Sequence, residues 1–199
     1  MAKKKFIIVL SIIYVIVLVF QCGAQVVYNN YRFGQEFYSE CSNAAVLCDG
    51  LARWTDYLMK EFNKDNVDPA DVITWSFESA LDNAVYFGYE DMPLLDEVRT
   101  GYSGLFERIR RRISLAQGET DPNMERYQRL FVDPEGAQKM AALKEQLDFM
   151  KAGFMEIHER YNEMSKWEKC FTSWSKERKV LSEKLKMPET LAAWSNELK

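Results

Sequence analysis

The residues of this sequence that could do chemistry are few and widely spaced. His158 is the only histidine among the 199 residues. A zinc or di-iron site in a helical protein needs several inward His, Glu or Cys ligands, commonly as Glu-x-x-His pairs, and position 155 is a methionine. The zinc-peptidase spacing is missing too, because Asn162 stands four residues after His158. We therefore expect no metal and no cofactor, and a structural or surface role for His158.

Motifs of the large enzyme classes are also missing. The sequence holds no Gly-x-Ser-x-Gly, no P-loop, no glycine-rich dinucleotide-binding fingerprint and no Cys-x-x-Cys-His. A Ser-His-Asp or Cys-His centre would have to converge on the single histidine. We predict that the protein is not an enzyme.

Four cysteines offer a different chemistry, at positions 22, 41, 48 and 170. Cys41 and Cys48 are one heptad apart, which is about 10.5 Å in a helix, whereas a disulfide needs Cα atoms within about 7 Å. Two interpretations stay open for this pair. They are small buried apolar residues, or one of them forms a disulfide with Cys170 or with a second copy of the chain.

Two further groups could contact partners. A basic patch contains Arg108, Arg111 and Arg112; it is either a solvated face paired with acidic residues or a contact for anionic headgroups or an acidic protein. The five tryptophans are mostly expected in the core. Trp75 and Trp194 fall off the main apolar seams and are candidate partner contacts.

These candidates must be positioned by a chain that begins with an uncharged stretch. No Asp, Glu, Lys or Arg occurs between Lys5 and Arg32. As a helix, residues 6–27 would extend about 33 Å, enough to cross a bilayer core about 30 Å thick. The sequence therefore predicts one transmembrane helix over residues 6–27.

The flanks of this stretch predict its orientation, because basic residues precede it and aromatic residues follow it. We expect a cytoplasmic N-terminus over residues 1–5, and residues 28–199 on the periplasmic side of a bacterial inner membrane. The membrane-interface residues are then Lys3, Lys4, Lys5, Tyr28 and Tyr31.

A cleaved signal peptide is the main alternative. The densest apolar part, residues 6–20, has the length of a long signal-peptide core, and Cys22-Gly23-Ala24 offers small residues at a cleavage site. Cleavage after Ala24 would release an exported soluble protein. A lipid-modified Cys22 is a third and less favoured alternative.

After the uncharged stretch, apolar residues follow helical periodicity. Steps of four and three alternate through a first seam, which predicts one helix from the membrane to about Asn63. The members of this seam are Phe37, Cys41, Ala44, Cys48, Leu51, Thr55, Leu58 and Phe62.

Asp-Pro pairs predict the starts of further helices at Asp68, Asp121 and Asp133. The predicted helices are 68–88, 93–117, 121–131, a longest one from 133 to about 186, and 189–198. The longest helix has the inward seam Met140, Leu143, Leu147, Met150, Phe154, Ile157, Tyr161 and Met164. The phase of the pattern then slips, and the inward residues continue as Trp167, Phe171, Trp174, Leu181 and Leu185.

The pattern as a whole predicts an all-α protein. A single N-terminal transmembrane helix continues into an antiparallel extracytoplasmic bundle of about four main helices plus short terminal helices. Since three of the 26 basic residues precede the apolar stretch, the remainder carries a net charge of about −7, which argues against binding to nucleic acid.

The absence of catalytic motifs and the small-residue seam favour a non-enzymatic scaffold or interaction subunit of an envelope or membrane complex. Its partners would be the lipid bilayer and either other membrane proteins or a second copy of the chain. The alternative is a ligand-sensing bundle that signals through a partner. In architecture this is similar to the input domain of bacterial chemoreceptors, although no second spanning segment follows residue 27.

Overall fold

The computed structural model of the chain describes residues 2–61, 97–98, 100–102, 104–109 and 134–198. These residues are predominantly helical, and they include no strand. The predicted all-α class is confirmed. The predicted helices 68–88 and 121–131 lie outside the described residues.

The first helix, α1 (Ala2–Glu61), has 60 residues and no interruption. It contains no proline, and its internal glycines, unlike proline, leave every backbone N–H in place to continue the helical hydrogen bonding. The prediction of one helix running past the end of the apolar stretch is confirmed. Its two halves differ sharply: residues 10–20 are exposed throughout, whereas the seam from Phe37 onward is buried.

A second long helix, α2 (Pro134–Glu163), packs antiparallel to the buried half of α1. Tyr38 of α1 stacks on His158 of α2, whereas Asp49, further along α1, pairs with Lys151, which comes earlier in α2. Both seams meet in one hydrophobic core. The predicted inward residues that are buried there are Phe37, Cys41, Ala44, Cys48, Leu51, Thr55, Leu58, Met140, Leu143, Leu147, Met150, Phe154, Ile157 and Tyr161.

Between these helices in the chain lies the middle helical segment, residues 97–98, 100–102 and 104–109. It belongs to the helix predicted over 93–117, and its apolar residues Val98, Tyr102, Leu105 and Ile109 are all buried. The segment reaches α1 through Phe106, whose ring meets the edge of Trp54 at a centroid distance of 5.5 Å.

The predicted continuation of the long helix to residue 186 is wrong. α2 ends at Glu163 and is followed by α3 (Lys166–Phe171), α4 (Trp174–Lys184) and α5 (Glu189–Glu197). The break has a local cause, a capping box at the start of α3. The Ser165 hydroxyl accepts a hydrogen bond from the Glu168 N–H, and the Glu168 carboxylate accepts one from the Ser165 N–H at 2.7 Å.

This break changes which aromatic residues are buried. Trp167 and Phe171 were expected to face inward, but their side chains are 73% and 66% exposed. After the restart the pattern is buried again, as predicted, at Trp174, Leu181 and Leu185. The short terminal helix predicted over 189–198 is confirmed as α5.

Candidate functional site

Most of the exposed large hydrophobic residues in the described part of the chain lie in the first half of α1. Leucines, isoleucines, valines and aromatic residues between Leu10 and Phe20 are exposed around the whole helix, at 40–80%. By length and composition, one helix among the described residues could cross a membrane. A contiguous apolar surface of this size marks a contact with lipid or protein.

Asn30 of α1 is held by hydrogen bonds to a later helix. Its side-chain amide donates to the carbonyl oxygens of Cys170 at 2.6 Å and Thr172 at 3.0 Å. Both carbonyls lie at the end of α3, where helical backbone partners run out. One side chain of α1 therefore satisfies two carbonyl groups at the end of α3.

One turn further along α1, Gly34 lies directly beneath Trp174, the first residue of α4. The indole is buried, and its Nε1 donates to the carbonyl oxygen of Lys169 at 2.8 Å. We call Asn30, Gly34, Cys170, Thr172 and Trp174 the junction. It joins α3 and α4 to α1 immediately after the apolar stretch.

Above the junction, aromatic rings fill the space between α1 and α2. Tyr38 stacks on His158 at 4.4 Å and on Tyr161 at 4.6 Å, and Tyr161 lies 5.3 Å from Trp174. The ammonium group of Lys169 lies 4.3 Å above the Tyr161 ring. Desolvation by burial raises the pKa of Tyr161.

His158 is part of this aromatic packing, in line with its expected structural role. No group of three or more His, Cys, Asp or Glu side chains that could hold a metal ion occurs within the described parts of the chain. Two polar atoms of this layer, His158 Nδ1 and the Tyr161 hydroxyl, are buried without a hydrogen-bond partner.

An ion pair fixes α4 beside the same stretch of α1. The Arg178 guanidinium lies 3.3 Å from Glu40, whose side chain is only 5% exposed. Removing one member of such a pair leaves an uncompensated buried charge. The contact therefore ties the position of α4 to α1 by charge as well as by packing.

The cysteines do not meet as the disulfide hypothesis requires. All four are free thiols, and Cys41 and Cys48 are fully buried. Cys170 lies level with Asn30, so eleven helical residues, about 16 Å of rise, separate that level from Cys41. In this structure neither Cys41 nor Cys48 is close enough to Cys170 to form a bridge within the chain, and both are buried away from the surface.

Burial has an electrostatic effect on both inward thiols. Desolvation raises the pKa of Cys41 and of Cys48 to about 12. Because the thiolate is the reactive form, these two cysteines fit the interpretation of small apolar core residues.

The proposed partner contacts fare differently. Trp194, a candidate partner contact, is only 2% exposed, because α5 turns its apolar face onto the core. The Arg108 guanidinium donates to the carbonyl oxygen and the hydroxyl of Ser195, so its charge serves a contact within the chain. Trp75, Arg111 and Arg112 lie outside the described residues.

The predicted membrane-interface residues all belong to α1. Lys3, Lys4 and Lys5 lie in its first turns, Tyr28 is 60% exposed, and Tyr31 is half-buried one residue after Asn30. The aromatic side chains thus lie at the end of the exposed apolar stretch, where the junction begins.

Comparisons with protein-family models, curated proteins and solved structures found no match to the chain.

Proposed function

We propose that this chain is a non-enzymatic, membrane-anchored scaffold or interaction subunit of a cell-envelope complex. In this proposal residues 6–27 cross a bacterial inner membrane once, Lys3 to Lys5 stay in the cytoplasm, and residues 28–199 form a periplasmic helical bundle.

The observation that carries the proposal is the division of α1. One unbroken helix is apolar and exposed in its first part and packed into a helical core in its second part. The change occurs at the junction, where Asn30 and Gly34 hold α3 and α4. A helix built in this way would mount the core on the membrane without a flexible linker.

Membrane association can be tested with lysine substitutions on the two halves of α1. The side chains of Ile16 and Val46 are 58% and 59% exposed, one in the apolar stretch and one on the packed half of α1. A lysine near the centre of a transmembrane helix costs about 3 kcal/mol. We expect Ile13→Lys/Ile16→Lys to release the protein into the soluble fraction on alkaline carbonate extraction, whereas Val46→Lys stays with the membrane.

Topology and anchoring need two further measurements. Protease added to spheroplasts should remove a C-terminal epitope, and intact mass should match the uncleaved chain. A protected epitope would contradict the periplasmic assignment, and a mass starting after Ala24 would favour the exported soluble alternative.

The scaffold role itself predicts a stable partner. Affinity purification of the full chain in mild detergent, after cross-linking in cells, should recover a defined membrane protein or a homo-oligomer. A monomeric protein without any cross-linked partner would contradict it.

Ligand sensing is the second candidate, favoured by the unpartnered polar atoms of His158 and Tyr161 between α1 and α2. A small polar ligand reaching them would raise the melting temperature of the full chain. Tyr161→Phe should abolish that shift, and a ligand screen without any thermal shift would remove this candidate.

A further inference from the structure

Trp167 and Phe171 are two large aromatic residues of α3 that are 73% and 66% exposed. The two rings are stacked, with centroids 5.9 Å apart and planes inclined by 8°. Positions four residues apart lie on one face of a helix, so the rings form one continuous patch. α3 contributes no buried residue to the core.

The hydrogen bonds of the junction fix the height of this patch. Asn30 lies three residues, about 4.5 Å, beyond residue 27, and the headgroup layer on each side of a bilayer is about 5 to 7 Å thick. Because Asn30 binds the carbonyls of Cys170 and Thr172, Phe171 lies at the level of that layer.

Hydrogen bonds at both ends of α3 fix the direction in which its exposed aromatic side chains point. Its capping box involves both Ser165 and Glu168, and at the other end the Thr172 hydroxyl and N–H both donate to the Glu168 carbonyl oxygen, at 2.8 and 2.9 Å. The exposed pair is therefore part of an ordered helix and keeps a defined direction.

We propose that α3 is an interfacial foot, whose Trp167 and Phe171 rings insert among the lipid headgroups beside the transmembrane part of α1. This inference rests on the proposed membrane anchor. Tryptophan is enriched at this depth because its ring is largely apolar and its N–H is polar. Lys166, which is exposed on the same helix, adds positive charge beside the lipid phosphates.

The test uses the full chain in phosphatidylcholine vesicles that contain a lipid with a doxyl group at carbon 5 of its acyl chain. Quenching of tryptophan emission by this lipid is compared among the wild type, Trp167→Phe and Trp194→Phe. We expect Trp167→Phe to lose a large share of the quenched emission. Trp194→Phe should keep it, because Trp194 is buried in the core.

Equal lipid quenching in the wild type and Trp167→Phe would overturn the proposal, whether the ring faces water or a second copy of the chain. Flotation of the same vesicles in alkaline carbonate separates the two ideas. If the protein floats but Trp167 is not quenched, the foot is wrong and the anchor stands. If the protein does not float, the anchor is wrong, and the foot with it.

Discussion

The indole of Trp174 lies directly against the backbone of Gly34, so closely that a Cβ at position 34 would meet indole Cδ1 and Cε2 at 2.8 Å. Real Cβ atoms do not approach other atoms to this distance, and the indole is fully buried. The junction therefore depends on the absence of a single methyl group.

Gly34→Ala should therefore lower the free energy of unfolding by about 1–3 kcal/mol, the usual cost of overpacking. A decrease in the free energy of unfolding would be informative, because alanine in a helix is normally about 1 kcal/mol more favourable than glycine. Gly104→Ala is the matched control: a Cβ there would meet nothing within 4 Å, so the variant should be neutral or more stable. Thermal unfolding of the full chain in detergent, followed by circular dichroism, measures both. A Gly34→Ala variant as stable as Gly104→Ala would contradict the close packing.

The Asn30 amide is the second determinant of the junction. Asn30→Ala removes the donor to two carbonyl groups, a loss that costs about 1–3 kcal/mol where those groups stay dry. We expect faster hydrogen exchange at the N–H groups of Thr172 and Trp174, measured by mass spectrometry. Asn29→Ala removes the neighbouring exposed amide, whose oxygen accepts a hydrogen bond from Gln25 on the same helix, and should exchange like the wild type. Equal exchange in both variants would show that Asn30 does not hold α3.

The two buried thiols, Cys41 and Cys48, should be protected from alkylation in the folded protein. Cys41 and Cys48 are 0% exposed with the pKa raised to about 12, so a maleimide should label them only after denaturation. Mass spectrometry of the native full chain checks this. Electrophoresis without reductant should show no faster-migrating form, since Cys170 lies too far from either thiol. A faster-migrating form that disappears on reduction would contradict the separation of Cys41 and Cys170.

Acid should weaken the contact between α1 and α2 at Asp49. Its carboxylate lies 2.5 Å from the Lys151 ammonium, and this hydrogen bond is the main reason why the pKa of Asp49 is lowered. A lowered folded-state pKa means that the pair stabilises the fold fully above the unfolded value, about 4, and that the contribution disappears as pH falls through the folded value.

Because both side chains are partly exposed, the pair should contribute less than about 1 kcal/mol. Asp49→Asn should make the melting temperature less sensitive to acid below about pH 4. Asp148→Asn, which removes an exposed pair within α2, serves as the control and should follow the wild-type profile. Identical acid profiles for the wild type and Asp49→Asn would contradict a role for this pair.

The seams of α1 and α2 could be predicted because they repeat the same step many times. Seven residues from Phe37 to Leu58 and seven from Met140 to Tyr161 were placed inward and are buried. Burying one face of a long helix requires apolar residues at regular spacing over many positions. A single exception therefore does not obscure the periodicity.

The end of α2, by contrast, coincides with a signal that only two residues carry, the capping box of Ser165 and Glu168. Apolar spacing carried the predicted helix through Trp167 and Phe171, but the Ser165-x-x-Glu168 box provides a new helix start that satisfies the backbone locally. That box is visible in the sequence and could have located the break. The roles of Asn30 and Gly34 could not be predicted, because each depends on a residue about 140 positions away.

The long stretch of sequence between α1 and α2 also constrains how the packed half of α1 is synthesised. Asp49 and Lys151 are 102 residues apart in the chain, so the apolar seam of α1 leaves the ribosome long before α2 exists to cover it. Closing so large a loop is slow and costs entropy, and the seam has to remain unaggregated in the meantime. Newly made chains should therefore need a chaperone or a partner protein that covers the apolar seam of α1 until α2 has been synthesised.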